Sequence, residues 1–124
     1  MAFTPETKNG RVVLSETTAL ANATTANSAS FRVAEGASFI VFGNVGATNT
    51  AAGLTAEIQG SFDGVTWVTI TSSALTAMDT ALDWYLYDAD TLGDFPYYRV
   101  QYTSAGDDSS ATAITKIVGN VNTV

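Results

Sequence analysis

The acidic residues between positions 79 and 94 are the first groups in this chain with a chemistry to offer. Asp88, Asp90 and Asp94 fall close together, with Asp79 and Asp83 just upstream. A loop rich in carboxylate oxygens suits a hard cation such as Ca²⁺. The spacing is not that of an EF-hand, because no Gly stands at the sixth position and no Glu closes the loop. Asp88, Asp90 and Asp94 are therefore the calcium candidates, and a solvated acidic loop is the plainer reading. Asp107-Asp108 reads as a simple turn. Paired carboxylates also hydrolyse glycosidic bonds, but nothing in the sequence sets two of them across a cleft.

The missing residue types say more. The 124 residues include no His and no Cys. That removes Ser-His-Asp and Cys-His catalysis, thiolate metal sites and disulfides. No P-loop, dinucleotide fingerprint or nucleophile elbow is present. The expectation is a protein that is not an enzyme and needs no cofactor, with Ca²⁺ the one ion left open. Twelve acidic against five basic residues give a net charge of −7. Such a surface repels phosphate backbones and anionic membranes, so neither nucleic acid nor membrane is an expected partner. No apolar stretch is long enough to span a bilayer as a helix. The start, Met1 to Glu6, lacks a basic segment followed by an apolar run, so synthesis in the cytoplasm is expected.

Aromatic residues collect in the second half: Trp67, Trp84, Tyr85, Tyr87, Tyr97, Tyr98 and Tyr102. Trp67 and Trp84 are expected in the core, with the tyrosine rings inside and their hydroxyls at the rim. Tyr97 and Tyr98 are neighbours, so on a strand one must face outward. An outward aromatic suits a subunit interface or a sugar ring. Arg99 lies within this aromatic segment. It is expected to pair with an Asp of the 88–94 loop or to stack on a tyrosine.

The elements that would hold these residues read as strands. Only 14% of residues are charged, and Thr, Ser, Ala, Asn and Gly take up the polar positions. Leu54, Ala56, Ile58, Gly60 and Phe62 alternate with Thr55, Glu57, Gln59 and Ser61, a period of two with one face inward. Asp63-Gly64 supplies a turn able to take positive φ, and Trp67 to Ile70 return as the partner strand. Further strands are expected at 11–14, 30–33, 38–45, 82–87, 95–102 and 111–121. Residues 15–28 read as a loop or a weak edge strand. A short helical turn is possible after Ser73. Residues 1–10, with Pro5 and Asn9-Gly10, read as an extended arm, and residues 11–124 as one domain. The fold class is all-β: an antiparallel sandwich or jelly roll of about eight strands.

The stretch Glu57-Ile58-Gln59-Gly60-Ser61-Phe62-Asp63-Gly64-Val65-Thr66-Trp67, followed by Pro96-Tyr97-Tyr98-Arg99-Val100-Gln101-Tyr102, resembles small β-sandwich virion proteins of tailed bacteriophages. It is also similar to discoidin-like and carbohydrate-binding sandwiches. The resemblance covers roughly the second half of the chain. It implies a capsid decoration, or cement, protein on the surface of the virion. Its partners would be the major capsid protein and further copies of itself, with a trimer favoured. Phe3 and Pro5 of the arm, and Tyr97 and Tyr98, are the expected interface residues. The rival is a glycan-binding module, free or in a tail or fibre, and a third option is a tail-tube or tail-completion protein.

Overall fold

The computed structural model describes residues 3–8, 11–19, 25–37, 39–45, 54–75, 82–88, 95–104 and 112–124. Among these residues the elements are eleven strands: β1 (Thr4–Lys8), β2 (Arg11–Ala19), β3 (Thr25–Asn27), β4 (Phe31–Val33), β5 (Phe39–Val45), β6 (Leu54–Ser61), β7 (Val68–Leu75), β8 (Leu82–Asp88), β9 (Tyr97–Ser104), β10 (Thr112–Gly119) and β11 (Val121–Thr123). One sheet has the order β1-β2-β10-β5-β8. The other has the order β11-β4-β9-β6-β7, with β3 also on β9. All pairings are antiparallel. The expected all-β sandwich is the fold.

Alternation builds the core. Leu14, Phe39, Val41, Ala113 and Ile117 face inward from the first sheet. Phe31, Ala56, Ile58, Tyr98, Val100 and Tyr102 face them from the second. Phe31, Phe39 and Tyr98 meet at the centre, with ring centroids 4.9 to 5.7 Å apart. Such contacts add to the stabilisation from burial itself.

Three expectations about elements are corrected. Residues 4–8 are not an arm. They form β1, paired with β2 from Thr4↔Ser15 to Lys8↔Arg11. Phe3 is 5% exposed and meets Phe31 edge-on at 5.8 Å, so it is a core residue and not an interface residue. Pro5 is exposed on this edge strand, where a missing N–H is tolerated and blunts further pairing. The domain therefore starts before residue 11.

The last strand is also not continuous to Val121. Gly119 takes a φ of 146°, which favours glycine. The chain leaves the first sheet there and joins the second as β11, whose partner is β4. The Ala34 N–H donates to the Asn120 carbonyl across the step at 2.9 Å. Finally, β7 runs on to Leu75, so residues 73–75 are strand and not helix. Residues 76–81 lie outside the described residues.

Two polar ties cross the apolar interior. Glu16 on β2 is buried, and both its carboxylate oxygens accept from the Ala29 N–H, at 3.0 and 3.2 Å. The Thr18 hydroxyl donates to the same carboxylate at 3.1 Å. Beside it, the hydroxyls of Tyr102 on β9 and Thr115 on β10 share a hydrogen bond. Burial pushes the Tyr102 phenol above the ordinary tyrosine range. The Thr115 hydrogen bond pulls the other way, and the Glu16 charge adds to the rise.

Candidate functional site

The hairpin between β6 and β7 is held by its own side chains. Asp63 Oδ1 accepts from the N–H groups of Val65 and Thr66 at 2.8 and 2.7 Å and from the Ser61 hydroxyl at 2.9 Å. The Ser61 Oγ in turn accepts from the Gly64 N–H at 2.8 Å. Gly64 takes a φ of 77°, as the turn requires. Hydrogen bonds to its ionised form bring the Asp63 carboxyl down to about 2, the two backbone N–H groups acting most. The Ser-x-Asp-Gly part of the sequence motif is thus a rigid turn.

That turn carries exposed apolar residues. Phe62 is 72% exposed, Val65 79% and Val68 53%. Phe62 was expected to continue the inward face of β6, but the strand ends at Ser61 and the ring passes beyond the sheet. It is nevertheless held in place. Its ring rests on Phe95 at 4.8 Å, and Phe95 meets Tyr98 edge-on at 5.9 Å. Phe95 lies against Gly60, where an added Cβ would come within 2.6 Å of the ring. An aromatic chain thus runs from the core to the surface and ends in Phe62.

The outward face of β6 and β9 holds the second group. Glu57 pairs in register with Gln101, and Gln59 with Arg99. Arg99 donates from Nε to Gln59 Oε1 at 2.7 Å. Gln59 Nε2 donates to Glu57 Oε1 at 2.9 Å and to Gln101 Oε1 at 3.3 Å. Gln101 Nε2 donates to Asn27 Oδ1 on β3 at 2.9 Å. The Arg99 guanidinium lies over the Trp67 ring, 4.3 Å from its centroid. Burial lowers the Arg99 pKa and the Glu57 charge raises it. Farther along the same face, Arg32 sits 5.5 Å from the centroid of Tyr97.

Several expected site residues therefore change place. Tyr97 and Tyr98 do divide between the two faces, as adjacent strand residues must. Tyr98 is fully buried and accepts from the Phe95 N–H at 3.2 Å, so it is core and not interface; Tyr97 is half-buried on the outer face. The tyrosine hydroxyls are not confined to the rim, since that of Tyr102 bonds to Thr115 in the interior. Trp67 is not in the core but half-buried on the outer face, and Arg99 stacks on it instead of on a tyrosine. Of the calcium candidates, Asp88 ends β8 in register with Phe39. Asp90 and Asp94 lie outside the described residues. The exposed tip was missed because Phe62 keeps the alternation one residue past the strand. Its signal was present in the motif, since a residue before Asp-Gly belongs to the turn.

No protein-family model matches the chain, and no curated protein matches it. Solved structures do. The PBSX exported protein XepA is similar with a TM-score of 0.59 and 18% identity, over 97% of this chain. The chain spans 45% of XepA's length. The K3 adhesin domain of the Lys-gingipain of Porphyromonas gingivalis is similar with a TM-score of 0.53 and 11% identity, over 91% of this chain and 76% of that one. At such identities what these proteins share with the chain is the antiparallel β-sandwich.

Proposed function

We propose that this chain is a structural protein of a phage particle, a capsid decoration protein that docks on the major capsid protein and on copies of itself. Its work is burial of apolar surface between chains, with no chemical step. The observation that carries this reading is the hairpin tip. Phe62 and Val65 stand exposed on a turn whose backbone is held by Asp63 and Ser61, and Val68 is exposed at the start of β7. An apolar group fixed before binding loses little conformational freedom on docking, and clustered exposed apolar residues mark interaction sites. The fold likeness to a PBSX exported protein and the resemblance around residues 57–67 agree with a phage origin.

Burying Phe62 against a partner is worth about 1.5–3 kcal/mol, or roughly tenfold or more in affinity. Co-sedimentation with capsids that lack the protein tests the reading, together with light scattering of the free chain. The wild type is expected to pellet with capsids, and Phe62→Ser to lose at least tenfold in binding while keeping its fold. A strict monomer that ignores capsids would overturn the proposal.

A further inference from the structure

The outer row of β3, β9 and β6 has a direction, and its direction defines a ligand. Arg99 can only donate, so Gln59 must turn its carbonyl oxygen toward it. The Gln59 amide nitrogen then faces the Glu57 carboxylate and Gln101, as observed. Gln101 therefore turns its own nitrogen to the Asn27 oxygen. Each amide orientation follows from the one before it. The Asn27 amide nitrogen meets no acceptor among the described residues and is left as a donor at one end of the row. At the other end Arg99 uses its Nε–H on Gln59, and its four terminal N–H groups meet no acceptor among the described residues. Stacking on Trp67 holds that guanidinium in place.

We infer that this row is a binding site for a neutral oligosaccharide lying across the strands. The two donor ends need a ligand that offers acceptors at a distance. Asn27 on β3 and Arg99 on β9 stand on paired strands, one inter-strand spacing apart and two residues out of register, roughly 8 Å between their backbone positions, which is longer than one pyranose ring. Arg99 covers one face of the half-buried Trp67 ring, and the rest of the ring offers apolar contact to the C–H groups of a sugar. Sugar hydroxyls both donate and accept, so they match a surface of mixed amides and one carboxylate. The ligand is neutral because Glu57 balances Arg99 within the row and the whole chain carries −7. An extended peptide is disfavoured. Most of the row lies on β9 and β6, which are both flanked by other strands, so a peptide could add as a strand only beside β3 and would not cover Arg99 or Trp67. The site shares the β6–β7 hairpin with the tip through Trp67 but uses the outer face of β6 and β9, and it stands whether or not the chain docks on a capsid.

Calorimetry with cellohexaose, xylohexaose, mannohexaose and maltohexaose tests the inference. At least one is expected to bind and to change tryptophan fluorescence. Arg99→Lys keeps the charge but loses the fork, and Asn27→Ala removes the far donor. Each is expected to weaken binding about tenfold, while Trp67→Ala abolishes it and Phe62→Ser leaves it unchanged. No binding to any of the four would overturn the inference. So would binding that survives both Arg99→Lys and Trp67→Ala, or binding of peptides in place of sugars.

Discussion

Asp63 illustrates how much one exposed carboxylate can organise. Its charge is matched by two backbone N–H groups and the Ser61 hydroxyl, so its pKa falls to about 2 in the folded chain against 3.8 ordinarily. A group with a lowered folded pKa adds stability above its unfolded pKa and loses it as the pH falls through the folded one. The melting temperature of Asp63→Asn should therefore lie below that of the wild type at pH 7. The gap should narrow between pH 4 and pH 2 in thermal melts across that range; a gap independent of pH would refute the assignment. Gly64 makes a complementary case. An added Cβ there meets only the Tyr97 ring at 3.8 Å, an ordinary contact. The cost of Gly64→Ala is then the backbone alone, about 1–2 kcal/mol, readable by urea denaturation. Both residues were legible in the sequence, because Asp-Gly after an alternating run has one common use. Glu16 was not. A Glu between Ser15 and Thr17 in a polar segment looks solvent-facing. The Ala29 N–H, brought from thirteen residues away, and the Thr18 hydroxyl make a buried carboxylate tolerable there.

Strands declare themselves when alternation and turn chemistry agree. β6 and the start of β7 met that standard, and so did β5, β9 and most of β10. The strands that were missed, or left open between loop and edge strand, lacked one signal or the other. β1 contains Pro5 and only polar neighbours, so it resembles an arm until β2 pairs with it. β3 is three residues of Thr, Ala and Asn that gain their conformation from β9. β11 merges in sequence with β10, and only the Gly119 backbone separates them. Where β6 ends, packing is tight enough to be tested. In Gly60→Ala the new methyl would lie 2.6 Å from the Phe95 ring, so that ring must move. Overpacking of this kind costs about 1–3 kcal/mol. Because Phe62 rests on Phe95, the substitution should also weaken capsid binding, though residue 60 is buried. Capsid binding at full strength by a folded Gly60→Ala variant would show that the tip does not depend on its aromatic support.

For the molecule as a whole, the two sheets are joined by apolar burial and by the ties at Glu16 and at Tyr102–Thr115. Tyr102→Phe leaves the Thr115 hydroxyl without this partner in the interior and should cost about 1–3 kcal/mol. It should also alter the alkaline limb of stability. A phenol whose folded pKa is raised adds stability below the unfolded value of about 10, lost as the pH climbs beyond it. The wild type should therefore lose more stability than Tyr102→Phe above pH 10, a difference that circular dichroism can follow. The antiparallel sandwich was readable at this scale from strand spacing, but the partition of strands between sheets was not. Similar Thr-rich strands do not distinguish their partners until Gly119 and the aromatic centre select them. The two ends of the described chain also come together. Phe3 touches the Phe31 ring, and Thr123 pairs with Phe31 in the sheet. A module whose entrance and exit adjoin can be spliced into a surface loop of another protein without prising that loop apart. By the same geometry, a short linker could close its ends into a ring, free to be reopened elsewhere.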